Sequence, residues 1–369
     1  MRKVEYPRVK PDHAPYRFDD GTIRIGGELY GTAAEIKDAR GYVWLALQLM
    51  DGTRAAGAVA EELRRTFPEL SPAASEGLVG QLLDSGYIED VRQPVPEELT
   101  RDDQERYSRN HDFFRRVDMR PGRSGWQAQA ALKCGRVTVL GVGGAGSHAA
   151  WALAAAGVGR LHCVDHDVVE VSNLTRQTPY TEDDIGRPKV EALAQRLHAV
   201  NSGVSVTVER RKVDTEDALA EVIAGSDVLA LCADESRGEY INTLADRVCA
   251  AAGIPWVGGG YSGPKITIGV YGPGGPCDGC LAAGEEARRR QGPDPVIGGP
   301  GVISASAGIC GNWIAYEVMS LITGVAKQPP GYLRGLNLMA PDQLVYVRHP
   351  SRDSCEACGT ARRPVATVD

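Results

Sequence analysis

The spacing of apolar and polar residues passes through three regimes along this chain. Residues 1–20 are polar and proline-rich and predict an extended arm. "GTIRIGGELYGT" (21–32) then alternates with the period of two of a short hairpin. From residue 38 the period lengthens. "DARGYVWLALQLM" (38–50), "RAAGAVAEELRRTF" (54–67) and "SPAASEGLVGQLLD" (71–84) each give one apolar helical face. Thr53 is the predicted N-cap of the second helix, and Ser71 with Pro72 the cap and first residue of the third. "YIED" after Gly86 predicts a wing strand, so residues 1–92 read as a small winged-helix-like domain. Residues 93–129 are charged and proline-containing and predict a linker followed by an arm.

The third regime, residues 130–369, alternates buried-type strands with helices. "RVTVLGVGGAGSHAAWALAAAGVGRLHCVDHD" (136–167) reads as strand, glycine turn, helix and strand, with Ala150, Leu153 and Ala154 on the buried helix face. "GRPKVEALAQRLHAV" predicts a helix with apolar positions 190, 193, 197 and 200. "VSVTVER", "SDVLALCAD" and "WVGGGYSGPKITIGVYGPGGPC" supply further strands and turns. This order implies a Rossmann-like, doubly wound α/β sheet. "EEARRRQGPDPVIGGPGV" (285–302) predicts a loop.

Composition narrows the function classes. Of 369 residues, 24% are charged and 43% apolar, and the net charge of -7 argues against a general nucleic-acid surface. No stretch reaches the ~18 apolar residues of a membrane span, so a cytoplasmic protein with no membrane partner is expected. Nine cysteines include the pairs Cys277-x-x-Cys280 and Cys355-x-x-Cys358. Four thiolates make a closed tetrahedral zinc site, which here would tie the C-terminal region back to the sheet domain. The remaining five, Cys134, Cys163, Cys232, Cys249 and Cys310, read as core.

The glycine turn carries the chemistry. Gly141, Gly143 and Gly146, with Gly144 beside them, fit G-x-G-x-x-G after a strand, and Asp165 closes the next strand. Bare backbone there admits phosphate to a helix N-terminus, and the carboxylate accepts ribose hydroxyls. That much leaves NAD(P), FAD and a triphosphate open. Asn173, Arg176 and Gln177 in "SNLTRQ", Lys189 at a helix start and Asp234 at a strand end add two long cations and a further carboxylate. Such a set suits a polyphosphate with Mg2+.

The ordered set "GVGGAG", "VDHDVVEVSNLTRQ", "GRPK", "CADES" and two cysteine pairs resembles the ThiF/MoeB/HesA adenylyltransferases, the bacterial branch of the ubiquitin-activating-enzyme-like superfamily. The likeness spans about residues 105–360. The arm "RYSRN" and the run "NLTRQ…TEDDIG" are most similar to the enzymes that adenylate the microcin C peptide. The resemblance implies ATP as co-substrate and a homodimer in which Arg109 reaches into the partner's site. It also implies that Asp165 binds ribose, that Asn173, Arg176 and Lys189 contact phosphates, that Asp234 holds magnesium, and that the four cysteines hold structural Zn2+. Gln177 belongs to the motif without a role of its own. A carboxylate would attack the α-phosphate to give an acyl-adenylate and pyrophosphate. Some members carry a further cysteine after the first pair for a covalent transfer; residues 281–309 here hold none.

About 90 residues precede the arm, and their hairpin and three helices resemble the PqqD-like domains that recognise leader peptides. Leu78, Leu82 and Leu83 are candidates for a peptide groove or for core packing, and Arg288, Arg289 and Arg290 for contacts to an acidic peptide or for a solvated charge run. The expectation is an enzyme that adenylates a C-terminal or Asp/Glu side-chain carboxylate of a ribosomally made precursor peptide bearing a leader segment. The alternatives are activation of the C-terminal Gly-Gly of a sulfur-carrier protein, a peptide-binding scaffold with a silent nucleotide site, and a nicotinamide oxidoreductase.

Overall fold

The computed structural model describes residues 4–27, 31, 33–233, 240–290, 292, 301–326, 328–340 and 342–359. The chain divides into two compact units, Met1–Ala131 and Leu132–Asp369.

In the first unit β1 (Pro7–Val9) pairs antiparallel with β5 (Ile88–Asp90), and β2 (Tyr16–Arg17), β3 (Thr22–Ile25) and β4 (Ala34–Lys37) form a three-stranded antiparallel sheet with β4 at an edge. Helices α1 (Tyr42–Leu49), α2 (Ala56–Thr66) and α3 (Pro72–Asp84) share a core with these strands. Ser71 caps α3 as expected, its hydroxyl accepting the Ala74 N–H at 3.2 Å. Thr53 does not cap α2. Its hydroxyl donates to Asp51 at 2.6 Å, and α2 starts at Ala56 with Ala55 at the N-cap position, so Thr53 lies outside the reach of the first helical N–H groups.

The N-terminal residues are also part of the fold, contrary to the reading of an extended arm. β1 is the partner of the wing strand β5. Val4, Lys10 and His13 are buried, and the Lys10 Nζ donates to the Asp118 carbonyl at 2.6 Å. The charged stretch after residue 92 folds as α4 (Arg101–Arg106), α5 (Ser108–Val117) and α6 (Gly125–Cys134). Thr100 and Asp103 form a capping box on α4, Phe114 of α5 is buried, and Arg115 donates to Asp12 at 2.8 Å.

The second unit is built on an eight-stranded sheet. Its strands are β6 (Arg136–Leu140), β7 (Arg160–Val164), β8 (Ser205–Glu209), β9 (Val228–Leu231), β10 (Trp256–Ser262), β11 (Lys265–Tyr271), β12 (Tyr332–Asn337) and β13 (Leu344–Val347). The order is β13-β12-β11-β10-β9-β6-β7-β8. Strands β8, β7, β6, β9 and β10 run parallel, and β11, β12 and β13 extend the sheet antiparallel. The helices are α7 (Gly144–Ala156), α8 (Lys189–Val200), α9 (Glu216–Ile223), α10 (Tyr240–Ala252), α11 (Asp278–Arg288) and α12 (Ser304–Thr323). Ala150, Leu153 and Ala154 are fully buried on α7, as are Leu193 and Leu197 on α8. Every residue of β9 is buried, as a central parallel strand covered on both faces requires.

Residues 285–288 of the expected loop belong to α11; residues 291 and 293–300 lie outside the described set. Of the five cysteines read as core, Cys163, Cys249 and Cys310 are buried, whereas Cys134 is exposed at the end of α6. Among the described residues, no helix is long and apolar enough to cross a membrane.

Candidate functional site

Strand β6 lies between β7 and β9, so the chain leaves the two neighbouring strands β6 and β9 toward opposite sides of the sheet. Ligands of such sheets bind outside the carboxyl ends at this switch point. A cavity of about 910 Å³ opens there, lined by Gly141, Gly143, Gly144, Asp165, Asn173, Arg176, Gln177 and Lys189 among others. Eight of the residues singled out in the sequence therefore meet in one place.

The glycines are required by geometry at two of these positions. Gly141 has φ +84°, a left-handed backbone that side chains disfavour. A Cβ on Gly146 would lie 1.8 Å from the Gly141 carbonyl oxygen, so the first turn of α7 closes against the turn only with hydrogen there. Gly143 is the N-cap of α7, and the helix presents its unpaired N–H groups to the cavity.

Asp165 holds the turn. Its Oδ2 accepts the Val142 N–H at 2.8 Å and its Oδ1 the Asp167 N–H at 2.9 Å. Tyr180 donates to the Val142 carbonyl at 2.8 Å, and burial keeps that phenol protonated. The Asn173 Oδ1 accepts the Glu170 N–H at 3.1 Å, and the Arg176 Nη1 donates to the Ser172 carbonyl at 3.2 Å. Lys189, the first residue of α8, donates from Nζ to Asp167 at 2.9 Å. Burial opposes ionisation of Asp167, but the Lys189 bond outweighs it and holds the carboxyl below its usual range. The Lys189 ammonium is thus buried and paired, on a wall where an incoming phosphate can exchange for Asp167. Gln177 is buried too, and its Oε1 has no partner among the described residues. A buried acceptor left open beside a glycine-lined helix end is consistent with a polar ligand completing the site.

Other expected residues fall elsewhere. Asp234 lies outside the described residues. Arg109 is on α5 in the first unit, its side chain almost fully exposed and 4.0 Å from Asp112. Arg288 and Arg289 pair within α11 and its end with Glu285 and Glu286, each at 3.7 Å, and Arg290 is exposed, a solvated charge run. Leu82 and Leu83 are core residues of the first unit and Leu78 packs partly against them. Sequence reasoning missed several lining residues: Arg211, Lys212, Asn242, Tyr261 and Asp278. Asp278 had a signal, since it sits between Cys277 and Cys280. The others are brought to the cavity by chain crossovers that leave no local pattern.

The four cysteines converge 78 residues apart in sequence, with Cys277 and Cys355 Sγ atoms 3.5 Å apart and Cys280 and Cys358 also 3.5 Å. All four sulfurs lie within 4.8 Å of one another. Tetrahedral zinc with ~2.3 Å bonds needs sulfurs ~3.8 Å apart, so the donor set fits that ion. Cys277, Cys280, Cys355 and Cys358 would hold it as a structural staple.

Comparison with known proteins gives the following. The ThiF family profile matches residues 107–358. The SAMP-activating enzyme E1 of Haloferax volcanii is 36% identical over 240 residues, covering 64% of this chain and 84% of that protein. The molybdopterin-synthase adenylyltransferase of Escherichia coli is 32% identical over 240 residues, covering 63% and 91%. The crystal structure of E. coli MccB superposes with TM-score 0.74 at 20% identity, over 96% of this chain and 97% of that one. MccB has also been solved with ATP and, as the Microcin C7 biosynthetic enzyme, with N-formylated MccA.

Proposed function

The chain belongs to the ThiF family of ATP-dependent adenylyltransferases, and from that premise we propose that it adenylates a carboxylate of a ribosomally made precursor peptide. The observation that carries this reading is the first unit. The sulfur-carrier-type relatives leave about a third of this chain unmatched, whereas the MccB fold spans 96% of it. An enzyme that needs only a Gly-Gly tail has no use for the extra module, while a peptide enzyme does. β4 is a sheet edge that can accept an extended leader as an added strand.

In this reading ATP lies along the glycine turn with its phosphates at the N-terminus of α7. Asp165 faces the ribose, and Asn173, Arg176 and Lys189 neutralise phosphate charge. Asp234 holds Mg2+, and Arg109 enters from the second protomer of a homodimer. The substrate carboxylate is already an anion at neutral pH, so the site supplies position and charge neutralisation rather than a general base. The attack forms the acyl–phosphate bond and releases pyrophosphate.

A second reading, activation of a sulfur-carrier protein, is favoured by the 36% and 32% identical relatives. ATP–pyrophosphate exchange separates the two. Exchange with a leader-bearing peptide, lost when the leader is removed, is the expected outcome. Exchange with a Gly-Gly-terminated carrier protein and none with peptides would replace the first reading by the second.

A further inference from the structure

The cavity is electrostatically divided. Its lining cations, Arg176, Lys189, Arg211 and Lys212, all follow β7 or β8, on one side of β6 in the sheet. The wall on the other side, from α10, β11 and α11, carries Asn242, Tyr271 and Asp278, and no cation among the described lining residues. Among the described lining residues Asp278 is the one acid on that wall, and it is held firmly. The Tyr271 hydroxyl donates to its Oδ1 at 2.5 Å and the Asn242 Nδ2 to its Oδ2 at 3.2 Å. Its own N–H and that of Gly279 donate to the buried Asp246 carboxylate at 3.1 and 2.9 Å. The cysteine cluster fixes the chain on both sides of it.

A carboxylate offers about four acceptor positions, so among the described residues two remain open on a rigidly held carboxylate that lines the cavity. An acyl substrate arrives as an anion as well. Asp278 repels it unless a donor on the substrate lies between the two charges. We infer that Asp278 is a specificity-determining residue: it accepts a hydrogen bond from a nitrogen-borne donor that the acyl substrate carries close to the carboxylate being activated, and it disfavours substrates with a methyl or an acid there. Buried groups built for a donor reject the analogue that lacks it. This rests on the acyl-adenylate part of the proposed function and is independent of which peptide is used.

Stable acyl-sulfamoyl adenosines test it without knowledge of the peptide. Two isosteric pairs place an ammonium or a methyl at the same position: glycyl against propionyl, and 4-aminobutanoyl against pentanoyl. Titration calorimetry on the full-length protein should show at least ~10-fold tighter binding of the amino member in one pair, the loss expected when a charged hydrogen bond is removed. Asp278→Asn keeps an acceptor for Tyr271 and should erase that preference, with zinc content and unsubstituted adenosine sulfamate affinity unchanged. Equal affinities within both pairs in the wild-type protein overturn the inference, and so does a preference that survives in Asp278→Asn. Equal affinities in the wild-type protein overturn it even where the variant does not fold. Failure of adenosine sulfamate itself to bind would instead remove the nucleotide reading, and the inference with it.

Discussion

Gly146 shows how one missing methyl group decides the site. Its α-carbon lies against the Gly141 carbonyl so closely that alanine cannot fit without moving backbone on one side or the other. A movement on the Gly141 side displaces the adjoining Val142 N–H, which Asp165 holds at 2.8 Å. Gly146→Ala is expected to cost ~1–3 kcal/mol, as overpacking of a rigid contact does, and to weaken nucleotide binding together with stability. Thermal unfolding with and without ATP measures both; an alanine variant with wild-type melting temperature and ATP-induced shift would mean the turn relaxes freely. Sequence spacing alone marked this glycine, because its constraint comes from neighbours five residues away. The open acceptor of Gln177 had no such mark: burial and partnering are properties of the folded surroundings, and "RQ" in sequence does not state either.

At the scale of elements, the entry to α8 places Lys189. Asp184 is buried there and accepts from the Thr181 N–H and hydroxyl at 3.0 Å each, from Arg187 at 2.5 Å and from Arg196 at 3.0 Å. Arg187 and Gly186 in turn exchange backbone bonds with Val169 at 2.9 and 2.8 Å, so the segment is laced to the loop after β7. Burial alone would raise the Asp184 pKa, but the Thr181 amide and Arg196 outweigh it and hold the carboxyl below its usual range. A depressed carboxyl pKa stabilises the fold above its unfolded value near 4 and loses that contribution as pH falls through the folded value. Asp184→Asn should therefore be less stable than wild type at pH 7, by ~1 kcal/mol given its partly exposed arginine partners. The gap should narrow as the pH falls below about 4 and close once it passes the lower folded value. Denaturant titrations at pH 7 and below 4 check it, and a gap that widens in acid would contradict the assigned ion pairs.

For the whole molecule the decisive question is where Arg109 acts. Its side chain is exposed on α5 of the first unit, and Asp112, 4.0 Å away, is at the limit of an ion pair. If it completes the site of a second protomer, Arg109→Ala and Lys189→Ala proteins should each be inactive alone and recover on mixing. Random re-pairing puts one intact site in half the dimers, so recovery should approach about a quarter of wild-type activity in pyrophosphate exchange. No recovery under conditions that exchange subunits would assign both residues to the same protomer, or remove Arg109 from the site.

The sequence by itself determined the local chemistry. A strand, a glycine turn, a helix and a closing carboxylate are adjacent in the chain, and their roles follow from backbone sterics and the exposed N–H groups at a helix start. Paired cysteines announced a thiolate cluster for the same reason, since two residues of spacing put both sulfurs on one side of a turn. Tertiary structure alone decided which distant groups meet. It returned the N-terminal residues to a sheet with β5 and set Asp278 against Tyr271 and Asn242 on the cavity wall opposite the cations. Those contacts depend on strand order and crossovers, which are settled by packing the whole sheet and leave no periodic trace in any one segment.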